Sequence, residues 1–462
     1  MLIYIFCLVL LAVSTTTSKP EETTEQPAFE EAGSASEDLT AKGIYTGWGD
    51  IPPFLGIVRT YDDWRIRIYS FADAVYDKQG GKRGQTGFYS PNAFAIAAQK
   101  EGEKSSLILS CVLSLEPFTI GPCGYPLLLS AGGTTNNITA LVDRGLPFTL
   151  PTELGVTYTI NPAKGHALFT YWAPVGPAAL GPVASQFYTT IYMPELPITY
   201  ANFNSTRISY GVITGGYTYK TTTFEASVFK GQGGGQRLVT IEEPRFDSYS
   251  SRLVSFFDPF IAQVSYGFIK SPDVTVPVID VRRFTTSASF FKKWDATYAE
   301  ITVGWGRDTY LVSMLTPNPI INNLNHKSFN AFFLEGICNI NNKHIFFTRG
   351  EVLETVSLLP RRCPVRSNAL SCCSFERQLD RDPDCIAARR ALRGQSFTVG
   401  KLAGGYLRQL FFWNNIRFGV GISANISFVP PVLYPCYGKN PFSYFLFARA
   451  ELADESEDTK LN

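Results

Sequence analysis

From Asn415 to Pro430 the chain alternates between apolar and polar side chains. Ile416, Phe418, Val420, Ile422, Ala424, Ile426 and Phe428 take the even positions, and Arg417, Gly419, Gly421, Ser423, Asn425 and Ser427 stand between them. Successive side chains of a β-strand point to opposite faces, so this is a strand with one apolar and one polar face. The apolar face is long enough for a bilayer-spanning strand, which needs about 9–11 residues. The pattern recurs from Trp64 onward. It marks strands over 64–77, 87–99, 104–115, 152–160, 166–174, 206–220, 221–230, 246–257, 260–271, 281–292, 296–306, 328–340, 343–354, 396–408, 416–428 and 441–450. So many two-faced strands predict an all-β fold: an antiparallel up-and-down transmembrane β-barrel of about 14–16 strands.

The faces can be assigned. Val264, Tyr266 and Phe268 oppose Gln263, Ser265 and Gly267; Phe224, Ala226 and Val228 oppose Glu225 and Ser227; Ile301, Val303 and Trp305 oppose Glu300, Thr302 and Gly304. Arg or Lys facing lipid at the bilayer midplane costs about 2–4 kcal/mol. The mid-strand charges Glu225, Glu300 and Arg417 fall on the face opposite the bulky apolar set. That face is therefore read as lining a lumen, where small residues would leave space. A soluble β-sandwich alternates in the same way, but one with this many strands would be unusually large.

The connections divide into two kinds. Gly80-Gly81 and Asn341-Asn342 read as tight hairpins. Pro117–Pro151, Pro174–Ser205 and Thr355–Gln395 read as long loops. Short turns on one rim and long loops on the other are the plan of an outer-membrane barrel. Phe442, Tyr444, Phe445, Leu446 and Phe447 make an aromatic closing strand.

Composition supports the same picture. The 462 residues would allow two or three soluble domains. However, 14% of them are aromatic while the mean hydropathy is 0.00, as averaging an apolar and a polar face would give. The net charge of +1 gives no electrostatic case for nucleic acid. Residues 1–18 read as a secretory signal peptide, with an apolar run from Leu2 to Val13 and small residues after it. That run is too short to cross the roughly 30 Å hydrocarbon core comfortably as an anchor. Residues 19–45 are acidic and poor in apolar side chains, and read as a disordered tether. The barrel is assigned to 46–450, with a Cys/Arg-rich insertion at 355–395, and 451–462 to an acidic tail. The expected location is the cell outer membrane, with the lipid bilayer as partner.

Several phrases occur in a fixed order. They are Gly-Pro-Cys-Gly-Tyr-Pro-Leu-Leu-Leu at 121–129, Leu-Val-Asp-Arg at 141–144, Pro-Val-Gly-Pro-Ala-Ala-Leu-Gly-Pro-Val at 174–183, Ser-Tyr-Gly-Val-Ile-Thr-Gly-Gly-Tyr-Thr at 209–218 and Phe-Glu-Ala-Ser-Val-Phe-Lys-Gly at 224–231. The series continues through 244–253, 263–273 and 280–283. In this the chain resembles a family of uncharacterised bacterial outer-membrane β-barrel proteins, over about residues 70–310. The resemblance implies a membrane barrel. Members are often rich in His and Met and carry His-Pro-His-Asp after the Leu-Val-Asp-Arg phrase. Here Leu146-Pro147-Phe148-Thr149 stand in that place, and the whole chain has three His and three Met. If the family handles a soft metal, this chain lacks the imidazole and thioether ligands for it, so no metal role is carried over.

Catalytic chemistry finds little support. His166, His326 and His344 are scattered, and no Gly-x-Ser-x-Gly elbow is present. The glycine run at 231–235 fails the dinucleotide-binding pattern at Gln236. Outside the leader there are eight cysteines: Cys111, Cys123, Cys338, Cys363, Cys372, Cys373, Cys385 and Cys436. Cys363, Cys372, Cys373 and Cys385 lack zinc-site spacing and are read as disulfide staples of an extramembrane loop. The same loop is rich in Arg, which suits an anionic lipid, and 374–393 suits a short helix.

No enzyme activity, cofactor or metal is expected. The first functional reading is a passive channel or small-solute transporter, with Glu225, Arg252, Arg283, Glu300 and Arg417 as the lumen charges that set selectivity. An exposed, unimportant rim position is the competing reading for each. The alternative function is a structural or adhesive surface barrel with a plugged lumen. A barrel-borne hydrolase comes third. The solute, if there is one, is not legible.

Overall fold

The computed structural model describes residues 56–131, 134, 141–182, 191–204, 209–233, 238–294, 297–356, 382–392 and 394–454. The strands are β1 (Ile57–Tyr61), β2 (Trp64–Lys78), β3 (Thr86–Tyr89), β4 (Asn92–Glu101), β5 (Ser105–Leu113), β6 (Tyr125–Ala131), β7 (Val142–Gly145), β8 (Pro151–Ala163), β9 (His166–Gly176), β10 (Ser209–Tyr219), β11 (Thr222–Lys230), β12 (Ser248–Phe257), β13 (Phe260–Ile269), β14 (Ile279–Trp294), β15 (Thr297–Val312), β16 (Ser328–Ile340), β17 (His344–Thr355), β18 (Phe397–Trp413), β19 (Ile416–Phe428) and β20 (Phe442–Leu452). Among the described residues five short α-helices sit in the loops: α1 (Glu116–Thr119), α2 (Tyr200–Asn204), α3 (Pro319–Asn322), α4 (Pro383–Ala391) and α5 (Tyr434–Tyr437).

The sheet closes on itself. From β8 to β20 each strand pairs antiparallel with the next, and β20 returns to β2 through Phe71↔Glu451 to Lys78↔Tyr444. Two segments continue a neighbour instead of adding a position. β3 runs in line with β4 along β2. β1 runs in line with β20 and pairs with the start of β2, Ile57↔Ile68 to Tyr61↔Trp64. The ring is therefore a sixteen-stranded closed barrel. β6 and β7 form a separate two-stranded sheet.

Each of the sixteen sequence-marked segments overlaps one barrel strand. One rim carries only short turns, such as 164–165, 220–221 and 341–343; the opposite rim carries 114–150, 177–208, 231–247, 313–327, 356–396 and 429–441. Asn341 and Asn342 both have positive φ (53° and 51°), as the central residues of a primed turn require, closed by the Lys343 N–H on the Ile340 carbonyl (3.1 Å). Asn414 and Asn415 repeat the positive φ at the β18–β19 turn.

Two assignments are corrected. Gly80-Gly81 is not a tight hairpin but part of the 79–85 connection on the long-loop rim. A Cβ on Gly80 would lie 2.0 Å from the Phe442 carbonyl oxygen, so the glycine serves a close backbone approach. Glu451 does not open a tail. It is the penultimate residue of β20, with its side chain buried in the lumen.

The outer wall is apolar. Phe224, Val264, Ile301, Val303, Leu334, Val420 and Ile422 are exposed on it. Tyr219, Phe257, Trp294 and Trp413 ring the short-turn edge, and Tyr249, Phe428 and Phe442 the other. Lysines sit over aromatic rings at the short-turn edge: Lys100 over Trp64, Lys220 over Tyr219 and Lys292 over Trp294. An apolar band between two aromatic girdles is the surface of a membrane β-barrel.

On the long-loop rim, Asp382 caps α4 by accepting the backbone N–H groups of Asp384 and Cys385. The Cys385 N–H is the main cause that holds this carboxyl below its ordinary value. Cys385 then joins α4 to α5 through a disulfide with Cys436. The pairing bears on the stapled-loop expectation in part. Cys363, Cys372 and Cys373 lie outside the described residues, as do the Arg-rich stretch up to 381, the leader and the tether. Cys123 is also disulfide-bonded.

Candidate functional site: a lumen filled by its own loops

The loop between β9 and β10 enters the lumen, and its described residues, 177–182 and 191–204, are bonded to wall strands on opposite sides. Near its start the Ala179 N–H donates to Ser227 Oγ (2.8 Å) and the Gly181 N–H to Ser265 Oγ (2.9 Å). Arg252 donates back to the Gly181 carbonyl (3.3 Å). Gly181 has φ +87°, and an added Cβ would meet the Phe203 carbonyl oxygen at 2.2 Å, so only glycine fits. On the far wall Arg449 donates to the Ile191 carbonyl (2.7 Å) and lies between the rings of Phe71 and Tyr192.

Glu195 is the hub of this loop. Its carboxylate accepts Lys401 Nζ (3.1 Å) and Asn425 Nδ2 (3.0 Å), and its carbonyl accepts Arg349 (3.2 Å). Thr199 donates from both its N–H and its hydroxyl to Glu351 (3.0 and 2.7 Å), and Asn202 to Asp308 (3.3 Å).

A second plug comes from 114–150. Asp143, at positive φ, accepts Arg83, the Leu129 N–H (2.9 Å) and the Tyr437 hydroxyl (3.1 Å). It thus ties β7 to the 79–85 connection and to α5. Tyr125 of β6 stacks on Tyr89 of the wall at 4.3 Å between centroids. Its phenol accepts the Leu196 N–H (2.9 Å), joining the two plugs, and burial pushes that phenol well above its ordinary pKa.

Apolar packing completes the filling. One buried cluster joins Tyr69, Val75 and Ala95 of β2 and β4, Tyr125, Leu127 and Tyr192 of the plugs, and Phe347, Leu407 and Phe447 of β17, β18 and β20 on the same side of the ring. The small inward residues were expected to leave space. They receive rings instead. Gly216 faces Phe169, Gly304 faces Phe333, Gly405 faces Phe347 and Gly421 faces Phe447, each pair directly cross-strand. A Cβ on any of these glycines would lie 2.1–2.4 Å from the partner ring. Laying an aromatic ring over a strand glycine restores the packing that the glycine lacks.

All five sequence-predicted lumen charges point inward, and none is more than 7% exposed. Glu225 pairs with Arg252 (3.1 Å), Arg283 with Asp308 (2.6 Å) and Arg417 with Glu451 (2.6 Å). Glu300 accepts the Tyr298 hydroxyl (2.6 Å). The structure places them on the inner face of the wall, nearly sealed from solvent and next to charged or polar partners. Lys401, Glu351, Arg349 and Glu335 were missed, although each lies on the polar face of a marked strand and the same alternation identifies it; Asp308 lies two residues past the marked 296–306 segment, in the part of β15 that the pattern did not reach. Glu195 was missed because a loop has no period to read.

The histidines are not brought together. His166 bonds Tyr217 (2.6 Å) and His344 bonds Tyr406 (2.8 Å) near the short-turn rim, while His326 lies in the β15–β16 loop. An outward apolar band, inward polar residues, short turns and long loops together make an outer-membrane β-barrel.

No protein-family model matches the chain, and no curated protein does. Solved structures similar to it include the Salmonella typhi OmpF complex with daunomycin (9% identity, covering 86% of this chain and 100% of that one, TM-score 0.47). An anion-selective porin from Comamonas acidovorans has 7% identity, covers 84% and 100%, and has a TM-score of 0.47. In-vitro folded OmpT, an outer membrane protein of Vibrio cholerae, has 8% identity, covers 85% and 99%, and has a TM-score of 0.45.

Proposed function

We propose that this chain is a structural or surface-exposed barrel of the outer membrane, held closed at rest by its own loops. The observation that carries the reading is Glu195, a loop residue only 3% exposed, whose contacts with Lys401, Asn425 and Arg349 join it to three adjacent wall strands. An ordered ring of charge-assisted bonds inside a low-dielectric lumen gives ions no path.

One observation favours a second reading, a gated small-solute channel. The wall behind the plug is charged, so withdrawal of 177–204 would expose a polar surface suited to water. Glu225, Arg252, Arg283, Glu300 and Arg417 would set selectivity only in that withdrawn state. Conductance in planar bilayers tests both. Wild-type protein is expected to be silent. Glu195→Lys, which sets a like charge against Lys401, is expected to give channel events if the gated reading holds. Steady currents from the wild type would overturn the closed barrel.

A further inference from the structure

Two arginines of the barrel wall point outward. Arg282 on β14 and Arg307 on β15 are exposed on the outer wall. The register Arg282↔Thr309 and Phe284↔Arg307 makes them diagonal neighbours, with Cα atoms about 7–8 Å apart. Among the described residues neither has a carboxylate partner, whereas inward Arg283 is paired with Asp308.

Their height is informative. Arg307 lies ten residues beyond Thr297, which pairs with Trp294 at the short-turn rim. At about 3.4 Å per residue and a strand tilt of about 35–45°, that is about 25 Å above the rim, the height of an apolar band. The pair therefore sits at the headgroup level on the long-loop side. There an outward Arg costs about 0–1 kcal/mol, not the midplane penalty.

Next to the pair stands a row of rings. Phe284 is directly cross-strand from Arg307, and Trp305 and Phe332 follow one step lower on the same face, at centroid distances of 5.7 and 6.4 Å along the row. Beyond Phe332 an apolar groove of about 700 Å³ opens in the outer wall, reaching from Gly400 and Phe428 at the long-loop edge down to Val303, Leu334 and Gly350. Charge and interfacial rings thus border a trough that runs from the long-loop edge toward the midplane, as phosphate and glycerol border the acyl chains of a lipid.

We propose that Arg282 and Arg307 hold the phosphate of an anionic membrane lipid in the long-loop leaflet, and that the groove seats one of its acyl chains. A guanidinium fork matches phosphate oxygens in geometry as well as charge. The glycine floor lets a methylene chain lie against the backbone. The proposal needs the barrel to lie in a membrane, but not the closed lumen.

The test uses full-length protein folded into phosphatidylcholine vesicles with a minor fraction of phosphatidylglycerol carrying brominated acyl chains. Trp305 fluorescence is taken as the difference from Trp305→Phe, and heat-modifiable gel migration checks folding of every variant. The expected quenching corresponds to local enrichment on the order of tenfold over brominated phosphatidylcholine at the same fraction. Arg282→Gln with Arg307→Gln should return it to the phosphatidylcholine level, and Gly350→Leu should weaken it by filling the trough. Equal quenching by the two lipids would overturn the proposal, as would enrichment that survives the double substitution. Weak quenching by both, with the groove covered by a second copy of the chain, would also overturn it.

Discussion

The arginines of the lumen and those of the outer wall obey opposite rules. Inside, Arg252, Arg283, Arg349, Arg417 and Arg449 each meet a carboxylate of this chain and are nearly sealed from solvent. Outside, Arg282 and Arg307 meet none among the described residues. A charge taken into packed protein is costly unless a partner travels with it. A charge at a bilayer border can take its counter-ion from the medium. The described polar face of these strands is therefore tied together by ion pairs and ring-on-glycine contacts.

The sharpest way to break this contrast is Arg449→Ala. It strands Asp73, leaves Glu451 to Arg417 and Gln409, and removes the donor to Ile191. A loss of about 3–5 kcal/mol is expected in urea unfolding of the folded barrel; a loss below 1 kcal/mol would mean that the lumen is wetter than its packing implies. Next in size is a pair of glycines. Gly421→Ala puts a methyl 2.3 Å from the Phe447 ring and should cost about 1–3 kcal/mol. Gly350→Ala on the outer wall meets nothing nearer than 3.8 Å and should be neutral, or stabilise by up to about 1 kcal/mol. Equal effects at the two sites would erase the distinction between the faces. The smallest effect is expected from Arg282→Gln with Arg307→Gln in neutral detergent, within about 0.5 kcal/mol of wild type. A larger loss would reveal partners that the outer wall does not show.

Most of the wall was legible because its rule is local. Alternation at period two places Ile422 outside and Ser423 inside without knowledge of any neighbour. Boundaries slipped where pairing extends past the pattern, as in β14, which runs to Trp294, and β20, which runs to Leu452. The plug was not legible as a plug. The segment 177–204 has no period, and its role follows from meeting Lys401 and Glu351, each more than 150 residues away. The glycines illustrate the same limit. Gly421 reads as a small lumen residue, and only the register with Phe447 reveals that its space is taken. Cys385 was singled out, but its partner Cys436 stands 51 positions further on, beyond any spacing rule.

The seam has a consequence for assembly. β2 is completed by both β20 and β1, and the parallel bridge between Gly56 and Ala453 sits where those two strands meet. Every other neighbour in the ring can zip as its hairpin emerges, but this junction waits for the last strand of the described chain. A polypeptide cut short before Phe442 would keep two unsatisfied edges, each a template for mispairing with another molecule. Closure thus doubles as a proofreading step: only a chain translated through that final strand can hide its margins.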